Sequence, residues 1–278
     1  MARVLQRSTG RPSHHARRWA YLLLVGTAVL ALLPSATLAS TPHQQTQDPF
    51  GSFMWPAYRE RFLSDAPVVF DERVRVEAPA FAEDSGQVPL SVDASALEEN
   101  GEPISQMIAW VDLNPIPRLF TYTPMNHGLA KLSLNIRLEQ ASAVRVAAKQ
   151  GDTWYVGGTF IDAEGGGCTT PGIANADNAW EKTFGELQGR LFANDDEQRL
   201  RVRLSHPMDS GLIPSQPAFY VQGFELLNAQ GQQVATLDIE ASVSANPTLG
   251  LHMRPAPGGY VIGARDNNGN RFSLGLQP

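Results

Sequence analysis

Hydrophobic residues in this chain alternate with polar ones over short runs, a period-two pattern that lines up one face of a half-buried strand. The clearest run is Lys131–Leu138, where Leu132, Leu134, Ile136 and Leu138 alternate with Lys131, Ser133, Asn135 and Arg137. Val74–Glu77, Val88–Val92, Ile104–Val111, Ala143–Ala148 and Trp154–Ile161 predict further strands. The turn signals Asn114-Pro115 and Gln150-Gly151-Asp152 punctuate them. Alternation resumes at Arg199–Leu204, and Ala218–Leu227, Val234–Ile239, Leu249–Met253, Gly259–Ala264 and Arg271–Leu276 follow. Ala229-Gln230-Gly231 and Asn267-Asn268-Gly269 have hairpin-turn chemistry. Many short strands without long helices between them predict an all-β chain of two β-sandwich domains.

Two stretches read differently. Ser52–Leu63 spaces Phe53, Trp55, Tyr58 and Phe62 to dock one face of a short helix, with Pro56 tolerable only in its first turn. Asn175–Leu191 carries Trp180, Phe184 and Leu187 at helical spacing and predicts a short helical linker. Residues 40–50 are polar and are expected to be loosely attached. Between the two sets of strands lies DAEGGGCTTPG, residues 162–172, which has no periodicity. The expected organisation is therefore a leader at 1–39, a first sandwich at 40–163, a glycine-rich arm and linker at 164–192, and a second sandwich at 193–278.

The leader is legible from charge. Arg3, Arg7, Arg11, Arg17 and Arg18 precede an apolar run, Ala20–Leu33, and Thr37-Leu38-Ala39 suggests cleavage before Ser40. A basic start, a short apolar middle and a small-residue exit define an export signal, and the run is shorter than the ~20 residues a spanning helix needs. Arg17-Arg18 is the kind of pair that a twin-arginine signal uses. Removing the leader takes the basic count from 22 to 17 against 28 acidic residues, a net charge near −11. Such a chain lacks the basic patches that nucleic acid or an anionic membrane surface requires. The expected location is periplasmic.

Export gives the single cysteine its weight. One cysteine cannot form an internal disulfide, and a lone thiol in an oxidising compartment is incidental, intermolecular or functional. Cys168 follows Gly165, Gly166 and Gly167. Glycine samples backbone space freely, so the run predicts a mobile tether. Starting from Ile161, it would reach up to ~25 Å. No lysine, arginine or histidine lies between Phe160 and Trp180, while Asp162 and Glu164 are acidic. The thiol is therefore expected near the free-cysteine pKa of ~8.5, unactivated at home. That describes a passive hook for covalent cargo, with no catalytic residue, cofactor or metal of its own.

Competing sites are weaker. His206 or His127 could serve as a base for Cys168 in a hydrolase or transferase, which would need a lowered thiol pKa and a histidine within hydrogen-bond reach. His206 lacks a second histidine at ligand spacing, so a structural role is expected; His127 reads as a loop residue. Asp112 and Glu139 read as solvated turn residues and Trp110 as core. A structural or adhesive sandwich with an incidental cysteine is the third alternative.

Several longer runs resemble the SoxYZ sulfur-carrier proteins, with Y-like and Z-like parts fused in one chain. The Y-like runs are Val88–Ser95, Glu99–Pro117 and Asn135–Ala148, leading into the glycine-flanked cysteine. The Z-like runs are Leu204–Leu212, Ala218–Leu226 and Ser244–Met253. The likeness extends over Phe53–Gly167 and Arg199–Leu276. It implies two immunoglobulin-like sandwiches packed together and a Cys168 that carries thiosulfate-derived intermediates between periplasmic sulfur-oxidation enzymes. Fused forms are also associated with quinoprotein dehydrogenase and cytochrome systems. One departure stands out: the separate Y subunit ends in a free GGCGG tail, whereas here Thr169-Thr170-Pro171-Gly172 and a second domain follow the cysteine.

Overall fold

The computed structural model describes residues 47–169, 180–194, 196–214 and 216–277; the leader at 1–39 and residues 40–46 and 170–179 lie outside them. The first half of the chain forms β1 (Val68–Phe70), β2 (Arg75–Glu77), β3 (Phe81–Ala82), β4 (Val88–Asp93), β5 (Ile104–Val111), β6 (Arg118–Pro124), β7 (Gly128–Ile136), β8 (Ser142–Gln150) and β9 (Thr153–Ala163). The second half forms β10 (Leu187–Ala193), β11 (Gln198–Leu204), β12 (Val221–Asn228), β13 (Gln233–Ile239), β14 (Thr248–Met253), β15 (Tyr260–Asp266) and β16 (Arg271–Leu276). The alternation seen in the sequence is real burial: along β7 every second residue from Gly128 to Ile136 is buried, and β11 buries Gln198, Leu200, Val202 and Leu204.

These strands make two sheets, and each runs through both halves. One orders β1-β9-β8-β5-β6-β13-β12-β15-β16, with β3 also on β9; the other orders β10-β11-β14-β7-β4-β2. The halves meet at two antiparallel seams. At one, Phe120 pairs with Ile239 and Tyr122 with Leu237. At the other, Leu132 pairs with Leu251 and Leu134 with Leu249. The inner faces share one apolar core that includes Leu90, Phe120, Leu132, Val146, Leu200, Leu237 and Ile262. Pairing β6 and β7 with the second half covers edges that would otherwise present unpaired backbone groups.

The helical expectation at Ser52–Leu63 holds in part. A helix, α1 (Trp55–Tyr58), has Pro56 in its first turn and continues as a π-helical turn over Arg59–Leu63. Its apolar side packs on the outer face of the first sheet, around Trp110, Trp154 and Phe70. With the core on one face and this segment on the other, β8 is buried at nearly every position, so its sequence does not alternate cleanly.

Three expectations are corrected here. Residues 47–50, at the described end of a stretch read as loosely attached, are anchored. Asp48 accepts from Arg145 Nη1 at 2.6 Å and from Nη2 at 3.0 Å. The helix expected over Asn175–Leu191 is limited, among the described residues, to α2 (Trp180–Thr183); Leu187–Ala193 is the edge strand β10. Leu187 and Leu191 are four apart, a spacing that satisfies both a helix face and a strand face. Asp112, read as a solvated turn residue, is buried: it accepts from Trp110 Nε1 at 3.1 Å and from Arg145 Nε at 3.1 Å. Trp110 is fully buried, as its strand position suggested.

Candidate functional site

Cys168 lies just past the end of β9, within hydrogen-bond reach of Ser210 of the second half. Its seat is built from backbone. Gly167 N–H donates to Leu138 O and Gly166 N–H to Glu139 O, both at 3.0 Å, and Leu138 N–H donates to Ser85 O at 2.8 Å. Glu139 closes the seat with its carboxylate, taking the Cys168 N–H at 3.1 Å and the Thr169 hydroxyl at 2.8 Å. From the other half, the Ser210 hydroxyl donates to Cys168 O at 3.3 Å.

The mobile tether expected from the glycines is thus a docked arm, and the cysteine is 3% exposed. The glycines serve close approach. A side chain at Gly167 would place its Cβ 2.1 Å from Ser85 O and 2.6 Å from Leu138 O. Gly165 has φ +102, a conformation that L side chains rarely adopt.

Residues that looked unrelated in the sequence converge on this seat. The Asn114 side chain bridges Arg137 O at 2.7 Å and Glu139 N–H at 2.9 Å, holding the chain segment against which the arm lies. The turn after His206 brings Pro207 O to Arg137 Nη2 and Ser210 to Cys168. That turn is fixed by Asn246, whose side chain accepts from His206 N–H at 3.1 Å. Arg137 N–H in turn donates to Ser242 O at 2.8 Å.

Burial pushes the Cys168 thiol up to about 12, with the Glu139 carboxylate adding to the rise and the Arg137 guanidinium opposing it. The docked thiol is therefore fully protonated at neutral pH and a poor nucleophile. Its lack of activation was expected, but the cause is burial and Glu139, with the sequence neighbours Asp162 and Glu164 exposed to solvent. Arg137 was missed. It holds a polar position in an alternating strand pattern, which reads as solvent-facing, and it is buried because the second half covers it.

Neither candidate base serves the thiol. His206 is fully buried between the rings of Phe184 and Phe219, with centroids at 5.5 and 4.5 Å. Its Nδ1 accepts from Met208 N–H at 3.2 Å, and Nε2 faces Asp266 Oδ2 at 3.5 Å. Burial lowers its pKa to about 4, against the pull of Asp266. His127 is an exposed loop residue whose carbonyl accepts from Arg254 N–H. Asp112 and Glu139 are not brought together: one pairs with Arg145, the other holds the arm.

The buried histidine has a measurable consequence. An unfolded chain takes up this proton near pH 6.5 and the folded one only near 4, so stability is full above 6.5 and falls as the pH drops towards 4. Denaturation at pH 7 and pH 4 should show wild type losing roughly 3 kcal/mol more than His206→Gln. Equal losses would show that the ring titrates normally.

Fold and site together define a double β-sandwich that seats one thiol between its halves. The first half, residues 59–168, matches the family model of sulfur oxidation protein SoxY, a match that ends on Cys168 itself; residues 190–276 match that of sulphur oxidation protein SoxZ. The chain belongs to the SoxYZ family, as a fused form with both parts in one polypeptide, and its class is that of sulfur-oxidation carriers. Among solved structures it is similar to the sulfur carrier protein SoxY from Chlorobium limicola f thiosulfatophilum. That likeness has 15% identity, covers 40% of this chain and 96% of that one, and has a TM-score of 0.35. A second likeness is to the BSP domain of a biofilm associated protein, with 12% identity, 73% and 29% coverage and a TM-score of 0.23. No curated protein sequence matches the chain.

Proposed function

We propose that this protein is a covalent carrier that holds thiosulfate-derived sulfur on Cys168 and presents it to partner enzymes outside the cytoplasmic membrane. The observation that carries the reading is positional. The chain's single cysteine is the residue on which the SoxY match ends, and it sits where the SoxY and SoxZ halves meet. Export rests on the leader read at residues 1–39.

Loading joins the cysteine sulfur to the outer sulfur of thiosulfate. One S–S bond forms, the thiol proton is released, and two electrons pass to a redox partner. The product, Cys–S–S–SO3−, carries one negative charge. Partners of this chemistry are sulfur-oxidation enzymes or a quinoprotein dehydrogenase with its cytochrome. The docked arm sets a condition on the cycle: the thiol has to leave its seat to be loaded, because a protonated and buried sulfur cannot attack. Chemistry takes place in the partner's site, and the seat keeps the empty thiol inert between visits.

Intact mass spectrometry of protein recovered from the exported fraction of its host tests the reading. Sulfur-containing mass additions that reductant removes are expected on wild type and absent from Cys168→Ser. A host whose sulfur oxidation runs unchanged with Cys168→Ser would sink it.

A further inference from the structure

Outward positions of β10 and β11 carry a patch whose charge opposes that of the rest of the chain. Residues two apart on a strand share a face, and so do the partners of an antiparallel pair. Arg199, Arg201 and Arg203 alternate along β11 with the buried Leu200 and Val202. Across from them on β10, Phe192 pairs with Arg199, Arg190 with Arg201 and Gln188 with Arg203. All six of these residues are exposed. Phe192 has two guanidiniums over its ring, the Arg190 and Arg199 Cζ atoms each lying 5.1 Å from its centroid. Among the described residues, none of these arginines takes part in an ion pair.

Ordinary solvation of a sheet face does not account for this arrangement. Arg190 and Arg201 lie directly opposite one another, and like charges so placed destabilise a ladder. Elsewhere on the same face charge is balanced: Lys131 meets Asp93 and Glu197, and His252 meets Glu197. Protection of a bare sheet edge explains Arg190, because β10 is the edge strand. It does not explain the three arginines of β11, which is paired on both sides. Net charge hid the patch in the sequence, since the chain without its leader is near −11.

Arginines around an exposed aromatic ring have the composition of a protein–protein contact. The acidic remainder of the chain selects the occupant further. Nucleic acid or an anionic bilayer presents continuous negative charge, which would meet that remainder as well. A folded protein places its carboxylates opposite the arginines alone. Beside the ladder the face dips into a cavity of about 490 Å3, lined by Arg199, Arg201, Gly250, Ser133 and, among others, Glu77, with room for a partner's side chains.

We propose that the outer face of β10 and β11 is a docking surface for a partner protein that presents clustered aspartate and glutamate carboxylates around an apolar spot. The carboxylates pair with Arg190, Arg199, Arg201 and Arg203, and the apolar spot covers Phe192. Docking here does not use Cys168, so the inference stands apart from the carrier reading.

The test replaces Gln188, which lies on the patch opposite Arg203, by photoreactive p-benzoylphenylalanine in the full chain made in its host. The same probe at Gln230, in the exposed turn between β12 and β13, is the control. On illumination the probe at Gln188 should give one discrete cross-linked protein, attached through a carboxylate-rich surface, and the probe at Gln230 should not. Arg201→Glu should cut the yield at least about tenfold, as expected when one attractive pair becomes repulsive. Arg203→Glu should do the same, and Cys168→Ser should leave the yield unchanged. Purified Arg201→Thr should have a urea midpoint equal to or above that of wild type, because it removes a like-charge pair.

No discrete product, or a yield that neither reversal lowers, would overturn the inference. Attachment to lipid, to nucleic acid or to a second copy of this chain would do so too. A midpoint lowered by Arg201→Thr would make the ladder a structural part of the sheet, and a product lost in Cys168→Ser would place the contact at the arm. A product that persists in a host whose sulfur oxidation is indifferent to Cys168→Ser would uphold the docking surface and remove the carrier reading alone.

Discussion

Gly167→Ala is expected to speed alkylation of Cys168 by iodoacetamide at pH 8 by at least about a hundredfold. The added methyl would lie 2.1 Å from Ser85 O and 2.6 Å from Leu138 O, and neither is the far end of a flexible side chain. Both belong to backbone that is itself paired through Leu138 N–H and Ser85 O. The arm has to give way, losing the donations from Gly166, Gly167 and Cys168. Once solvated, the thiol returns from about 12 towards its ordinary value of 9.0, which raises the thiolate fraction at pH 8 by about a thousandfold. Spontaneous opening in wild type reduces the observable ratio, hence the lower bound. A pH profile of labelling checks the cause: the inflection should sit near 9 in the variant and well above it in wild type. An unchanged rate and profile would mean that the arm is not seated through Gly167.

Arg145→Met should destabilise the protein by about 3–5 kcal/mol, read as a lower urea midpoint with an unchanged slope. Asp112 would be left buried with the indole N–H of Trp110 as its remaining side-chain donor. Asp48 would also lose its two bonds to the guanidinium, and with them the anchor that holds residues 47–50 to the first sheet. Because Trp55 stacks on Trp110 at 6.2 Å, release of this segment should appear as a change in tryptophan fluorescence before global unfolding. Asp48→Asn, at the more open end of the network, should cost less than Arg145→Met. A loss below about 1 kcal/mol for Arg145→Met would show that the buried triad is held together by something else.

Much of the β architecture could be read from alternation, because β4, β7 and β11 each have one face in the core and one towards solvent. β6 was not predicted, although it forms one of the seams: it follows the Asn114-Pro115 turn, and its Phe120 and Tyr122 are mixed with threonines. The seams themselves leave no mark, since a strand paired to its own domain and one paired to a neighbour carry the same period. Cys168 stood out through its uniqueness and its glycines, yet those glycines suit two opposite purposes, freedom and close packing. Only coordinates distinguish them, by placing Ser85 O where a Cβ would be. Arg137 was hidden for a related reason: a polar residue on the open face of a strand looks solvated until another part of the chain covers it.

Because strand pairing joins the halves along both sheets, the wall of the thiol's seat that Ser210 and Pro207 supply belongs to the same molecule as the arm. Two separate subunits would have to find each other, and dilution would pull them apart. Here the second wall arrives at a fixed one-to-one ratio and at an effective concentration set by the connecting chain. Shelter for the sulfur is therefore independent of how much protein is present.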